Sequence, residues 1–190
     1  MMQHCSKKGL KQFYLQGFRP YSLYNYSDKQ NPKVFFTLSK NGQTLGDLVF
    51  ELYNNHAPKS VENVLALATG KNDAHVSYKG TVLNKGYPGI LLQGGRASDC
   101  NASASGARLP DENMNLRHFK RGQLTLANDG ENANGSEFMI TLDKADMLDG
   151  YNQLVGELVE GEDVLKQAEE CLTRLGNVEG ELRIENSGTR

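Results

Sequence analysis

The sequence predicts a mainly β fold, a closed barrel of short strands whose open ends are stopped by two α-helices. Three features point there. Many short β-rich runs are punctuated by Gly and Asn, an Asn-Gly dipeptide joins two of them early in the chain, and two stretches carry a clear helical period.

The strand signal opens at Pro32. VFFTLSK and QTLGDLVFELY flank Asn41-Gly42, a pair suited to the positive φ angles of a two-residue hairpin turn. In the second run Leu48, Phe50 and Leu52 alternate with Asp47, Val49 and Glu51, so one face is apolar and belongs to a core. HAPKSVENVLALATG follows, with Val61, Val64, Leu65 and Ala68 at helical spacing. Pro58 suits its first turn and Gly70 the left-handed position after its last. A second helical stripe passes through Val164, Leu165, Ala168, Cys171, Leu172 and Leu175 and is expected to stop before Gly176. Glu181-Leu182-Arg183-Ile184-Glu185 then alternates as a closing strand.

Met1 to Asn31 has a different texture. Phe13, Tyr14, Phe18, Tyr21, Tyr24 and Tyr26 follow neither period, which predicts an extended arm in need of a surface to lie on. The arm holds five Lys or Arg against one acid, a net of +4, leaving −6 for the rest of a chain whose total is −2. The organisation expected is therefore a basic, aromatic arm over 1–31 and one domain over 32–190. Its Lys-bearing, acid-poor start also fits a mitochondrial transit peptide. Lys7, Lys8, Lys11 and Arg19 beside aromatic rings could stack on single-stranded nucleic acid. The acidic body and the lack of a nucleic-acid motif argue against that partner and for docking on a protein.

Composition excludes other classes. With 38% hydrophobic and 23% charged residues and no run near the roughly 20 apolar residues of a membrane span, a soluble protein is expected. Cys5, Cys100 and Cys171 are odd in number and far apart, and His4, His56, His75 and His118 have no ligand spacing. Free thiols in a reducing intracellular compartment, and no metal, follow as expectations.

FELYNNHAPKSVENVLALATG, YPGILLQGG and PDENMNLRHFKRGQLTLANDGENANGSEFMITLDKADMLDG occur in an order and spacing that resemble the cyclophilin family, over Pro32 to about Gly188. The resemblance implies an eight-stranded antiparallel β-barrel capped by two α-helices. It also implies binding of proline-containing peptide and cis/trans isomerisation of the bond before proline. That rotation is slow because resonance stiffens the amide, with a barrier of ~18–20 kcal/mol. A donor aimed at the proline nitrogen lowers it, while an apolar pocket holds the ring; no covalent step or cofactor is required.

In the family the donor is an arginine three residues before a Pro-Gly pair. Glutamines lie beside it, and the ring pocket of Phe, Met, Phe and Leu is rimmed by Trp and His. With Pro88-Gly89 setting the register, Lys85 takes the arginine position and Asn84 the usual His before it. Ile90 and Leu91 replace the pocket Phe and Met, and Gln93 is kept. Ala127 and Asn128 match the strand that pairs with substrate backbone, followed by Asp129. Glu137 stands for a Gln, Met139 for the second Phe, Met147 for the Trp and Asn152 for the His, with Leu148 kept. The implied catalytic residues are Lys85 and Gln93; the others named form the implied substrate-binding set.

Lysine offers a mobile point charge where arginine offers a planar fork. Losing one aimed donor typically costs ~10²–10³ in rate. The expectation is thus a proline-peptide module of a larger assembly, weak or inactive as an isomerase; the alternative is an active enzyme using Lys85. Lys85 and Glu137 are expected to neutralise each other across the pocket. Plainer readings stand beside these: a solvated Lys85, a collapsed groove at Ile90, Leu91, Met139 and Leu148, and a simple turn at Asn128-Asp129-Gly130. EGEDVLKQ is similar to a segment of cyclophilin-like proteins associated with cilia, which suggests a cytoplasmic setting near the cilium or cytoskeleton.

Overall fold

In the computed structural model, which describes residues 24–190, the expected hairpin joins β1 (Lys33–Lys40) to β2 (Gln43–Leu52). Asn41 and Gly42 take φ angles of 52° and 81°, the left-handed values that such a turn demands. Helix α1 (Pro58–Thr69) has Pro58 in its first turn and stops at Gly70, φ 68°. Strands β3 (Leu83–Tyr87), β4 (Leu91–Gly94), β5 (Gln123–Asn128) and β6 (Asn134–Thr141) follow. A 3-10 turn at Asp146–Leu148, β7 (Leu154–Glu160), α2 (Glu162–Glu169) and β8 (Leu182–Thr189) complete the order.

All the strand pairs are antiparallel, in the order β3-β4-β6-β5-β7-β2-β1-β8. The two ends of that order meet. Val82 bridges Arg183, Gly80 N donates to Ile184 O at 2.7 Å, and Ile184 N donates to Thr81 O at 2.8 Å. This contact brings β3 beside β8 and closes the barrel, so neither end of the sheet is left as a bare edge.

Leu48, Phe50 and Leu52 point into the core as their alternation requires, where Phe36, Phe50, Phe138 and Tyr78 pack ring against ring. Helix α1 buries Val61, Val64, Leu67 and Ala68 against β8, β1 and β6, and α2 buries Leu165 and Ala168 against β2. Among the described residues no helix is long and apolar enough to cross a membrane. Cys100 is exposed and Cys171 buried, both as free thiols.

Two elements differ from expectation. The second helix ends at Glu169, so the stripe through Cys171, Leu172 and Leu175 is not one helical face. After it the chain turns back on itself, Thr173 N donating to Asn177 O at 2.9 Å and Gly86 N of β3 to Gly176 O at 3.1 Å. Cys171 and Leu172 are buried in that return, while Leu175 is 84% exposed. Strand β8 runs on past Glu185 to Thr189, because β1 pairs with it as far as Val34.

Residues 24–31 lie on the barrel. Tyr26 packs against Tyr53, His56 and Phe119, and its hydroxyl accepts from Arg117 N at 3.2 Å. Glu51, on the outer face of β2, is buried beneath them. It accepts from Ser27 Oγ at 2.8 Å, Asp28 N at 2.9 Å and Asn31 Nδ2 at 2.9 Å. Cys5, His4, Lys7, Lys8, Lys11, Arg19, Phe13, Tyr14, Phe18 and Tyr21 lie outside the described residues.

Candidate functional site

Strands β3, β4, β6 and β5 lie side by side, and their register sets the site. Lys85 opposes Gln93, Gln93 opposes Met139, and Met139 opposes Thr125, one row on the outer face. The alternate residues Leu92, Phe138, Ile140, Leu124 and Leu126 turn inward to the core. Met139 then clusters with Ala127, Leu148, Ala145 and Leu91 in an apolar patch separate from that core. Four of the substrate-binding residues expected from sequence are thereby brought together as a floor. Ile90 and Met147, next to Leu91 and Leu148 in the chain, are 39% and 58% exposed.

His118 ties this floor to its neighbours. The ring is fully buried; Nε2 lies 3.1 Å from Thr125 Oγ1 and Nδ1 lies 2.9 Å from Asp149 Oδ1. Asp149 Oδ1 also accepts from His118 N at 2.8 Å, and Ala145 N donates to His118 O at 2.9 Å. The segment carrying Met147 and Leu148 is therefore fastened to the row at Thr125. Burial lowers the His118 pKa against the opposing pull of Asp149. The neutral ring fits these partners with Nδ1–H donating to the carboxylate and Nε2 accepting from the threonine hydroxyl.

The polar half of the row overturns one expectation. Lys85 is exposed, and Glu137 does not pair with it. Glu137, only 4% exposed, accepts Arg96 Nη2 at 2.8 Å and Nε at 3.2 Å, and Gln93 Nε2 at 2.9 Å. Arg96 wins because it rises from the loop beside Glu137, whereas Gln93 stands between Glu137 and Lys85. That loop approaches very closely. Asn101, at φ 50°, accepts at Oδ1 from Ser136 N at 3.0 Å and Glu137 N at 2.8 Å. A Cβ on Gly135 would sit 1.8 Å from Asn101 O, so only glycine fits there.

The remaining expected residues are spread around the floor. Asn84 is exposed and falls at the register shift between Leu83 and Lys85. Asn128 Nδ2 donates to Tyr151 O at 2.7 Å, and Asn152 Nδ2 to Leu126 O at 3.1 Å. Asp129 is ion-paired with Arg108, with Arg96 Nη2 3.9 Å away. Burial opposes the shift, but the Arg108 hydrogen bond and charge hold the Asp129 carboxyl below its usual range. Arg96, Arg108, Asn101 and His118 were missed from sequence. The available signal was two arginines in the shortened loop between Gly95 and Asp111, which matched no motif.

The model of the family described as cyclophilin type peptidyl-prolyl cis-trans isomerase/CLD matches residues 35–189. The chain belongs to this family. As a cyclophilin it carries the proline-isomerase fold over nearly the whole described chain, a fold that binds proline-containing peptides. Chemically, this outer face carries a largely buried apolar cluster, with Ala127, Met139 and Leu148 only 5%, 7% and 8% exposed, a cation at its β3 side, and amide and guanidinium donors drawn together on a buried carboxylate. Among the described residues no group of three or more His, Cys, Asp or Glu converges as a metal site would.

Proposed function

We propose that the outer face of β3, β4, β6 and β5 is a groove for proline-containing segments of protein, and that this cyclophilin works chiefly as a binding module with weak or lost isomerase activity. One observation carries the reading: the apolar seat of Leu91, Ala127, Met139 and Leu148 is assembled, while the guanidinium beside it is tied to Glu137. Binding a proline ring needs the seat. Catalysis also needs a donor aimed at the nitrogen of the twisted amide, a task for which an exposed, flexible Lys85 is poorly preorganised. The larger assembly belongs to the same proposal. On this reading the basic stretch ahead of residue 24 meets an acidic partner, in a cytoplasmic setting near the cilium or cytoskeleton; its support is the charge of the sequence and the engagement of residues 24–31 with this chain's own barrel.

The exposure of Lys85 supports a second reading, an isomerase in which that lysine acts as the donor. A protease-coupled isomerisation assay separates the two. Unmodified chain and Lys85→Ala should both run near background, with Lys85→Arg no slower than either. A clear rate that collapses in Lys85→Ala would instead make the chain an enzyme and defeat the module reading.

A further inference from the structure

Beside the apolar seat, two guanidinium side chains from one loop converge on a single carboxylate, and a buried amide belongs to the same loop. Arg108 holds Asp129 directly, and its Nη1 is braced by Asn101 O at 2.8 Å. Arg96 spends Nε and Nη2 on Glu137 and Nη1 on Asp99 O at 3.2 Å. A guanidinium has five N–H groups, so Arg96 retains donors on the side facing Asp129, 3.9 Å away and outside hydrogen-bond reach. The amide is that of Asn101. Its Nδ2 is buried with no hydrogen bond of ordinary geometry, yet Asn101 is among the groups that favour the charged form of Asp129.

A guanidinium with unused donors 3.9 Å from the anion, and a buried amide of the same loop with no hydrogen bond of ordinary geometry, describe a binding place larger than its occupant. Asp129 fills it incompletely. It sits in the turn between β5 and β6, with a side chain 45% exposed, so it is able to swing out. The strand leading to that turn holds Ala127, part of the apolar cluster, two residues before Asp129 in the chain.

We propose that Arg96, Arg108 and Asn101 form an anion cradle at the end of the groove, occupied by Asp129 in the unliganded chain, and that it selects proline-containing segments with an acidic side chain close to the proline. The incoming carboxylate, or a phosphoserine of the same chemistry, displaces Asp129 and takes the donors that Asp129 leaves unused. This rests on the reading of the outer face as a peptide groove. It adds a rule of ligand choice that the apolar seat does not supply.

The test is a binding titration of the full chain with short single-proline peptides, in which Glu is scanned over the positions on either side of the proline and compared with Gln at the same position. At one position the Glu peptide should bind about three- to fivefold tighter than its Gln twin, the factor one half-exposed ion pair supplies. Arg108→Ala should bring that ratio to about one, and Asp129→Asn, which removes the internal competitor, should raise it. A phosphoserine peptide run alongside tells the two sources apart by which gains more. Equal binding of Glu and Gln peptides at every position, or a ratio that survives Arg108→Ala, overturns the cradle. If no peptide binds, the groove reading fails. The cradle is then judged alone by titrating Asp129→Asn with N-acetyl-aspartate and phosphoserine while following the Arg96 and Arg108 Nε resonances. Shifts in both support it, and unmoved resonances overturn it.

Discussion

At the scale of single residues, the decisive choice is which cation neutralises Glu137. A carboxylate 4% exposed needs nearly all its partners, and it has Arg96 and Gln93. Arg96→Ala leaves that carboxylate short of donors. The expected loss is about 1–2 kcal/mol, below the full cost of breaking a buried pair because Arg96 itself reaches solvent; denaturant unfolding measures it. Met139→Ala should cost about 2–3 kcal/mol through the cavity it opens in the seat, and it should weaken peptide binding as well. Lys85, Gln93 and Met139 were legible from sequence because a motif fixes their register and period two fixes their face. Arg96 and Arg108 were not, because their carboxylate partners lie 41 and 21 residues away and only the folded loop joins them.

At the scale of elements, the arm and the His118 tie both make pH predictions. Hydrogen bonds from Asn31, Asp28 and Ser27 outweigh the effect of burial and hold the Glu51 carboxyl below its usual range. A carboxyl depressed in the folded state adds stability above its unfolded pKa, and that stability is lost as pH falls through the folded one. Acidification below the ordinary carboxylate range should therefore release residues 24–31, and Glu51→Gln should release them at neutral pH, as read by proteolysis at Tyr26. His118 has the same sign by another route. Its pKa is lowered in the folded chain, so the unfolded state binds a proton first, and stability should decline as pH drops from about 6.5. Thermal midpoints measured between pH 7 and pH 5 should fall less for His118→Gln than for the unmodified chain. The first helix was readable because Pro58 and Gly70 bound it; the second was overextended because Cys171 and Leu172 keep a helical spacing while being buried by a turn.

At the scale of the whole molecule, alternation, turn chemistry and two helical stripes were enough to foresee a barrel with two helices. The family motifs supplied the number and sense of its strands. The strand order was not legible, since neighbours such as β4 and β6 or β1 and β8 are set by long-range closure and not by any local pattern. Two levels of the site differ in the same way. Its apolar half follows from strand period, whereas its charged half is the product of one irregular loop pressed against β6 at Gly135. Ala127, Met139 and Leu148 are nearly buried while Met147 and Ile90 are exposed, so a bound peptide should change the rim at Met147 and Ile90 most.

The central claim is that the outer face of β3, β4, β6 and β5 seats proline. It is tested most directly by titrating the full chain with a short proline-containing peptide and with its proline-to-alanine twin, following side-chain methyl resonances by NMR. The account predicts shifts at Leu91, Met139, Met147 and Leu148 that are clearly larger with the proline peptide. Equal responses to the two peptides, or shifts confined to the cleft of about 530 Å³ between α1 and Ser103–Ser105, would contradict it.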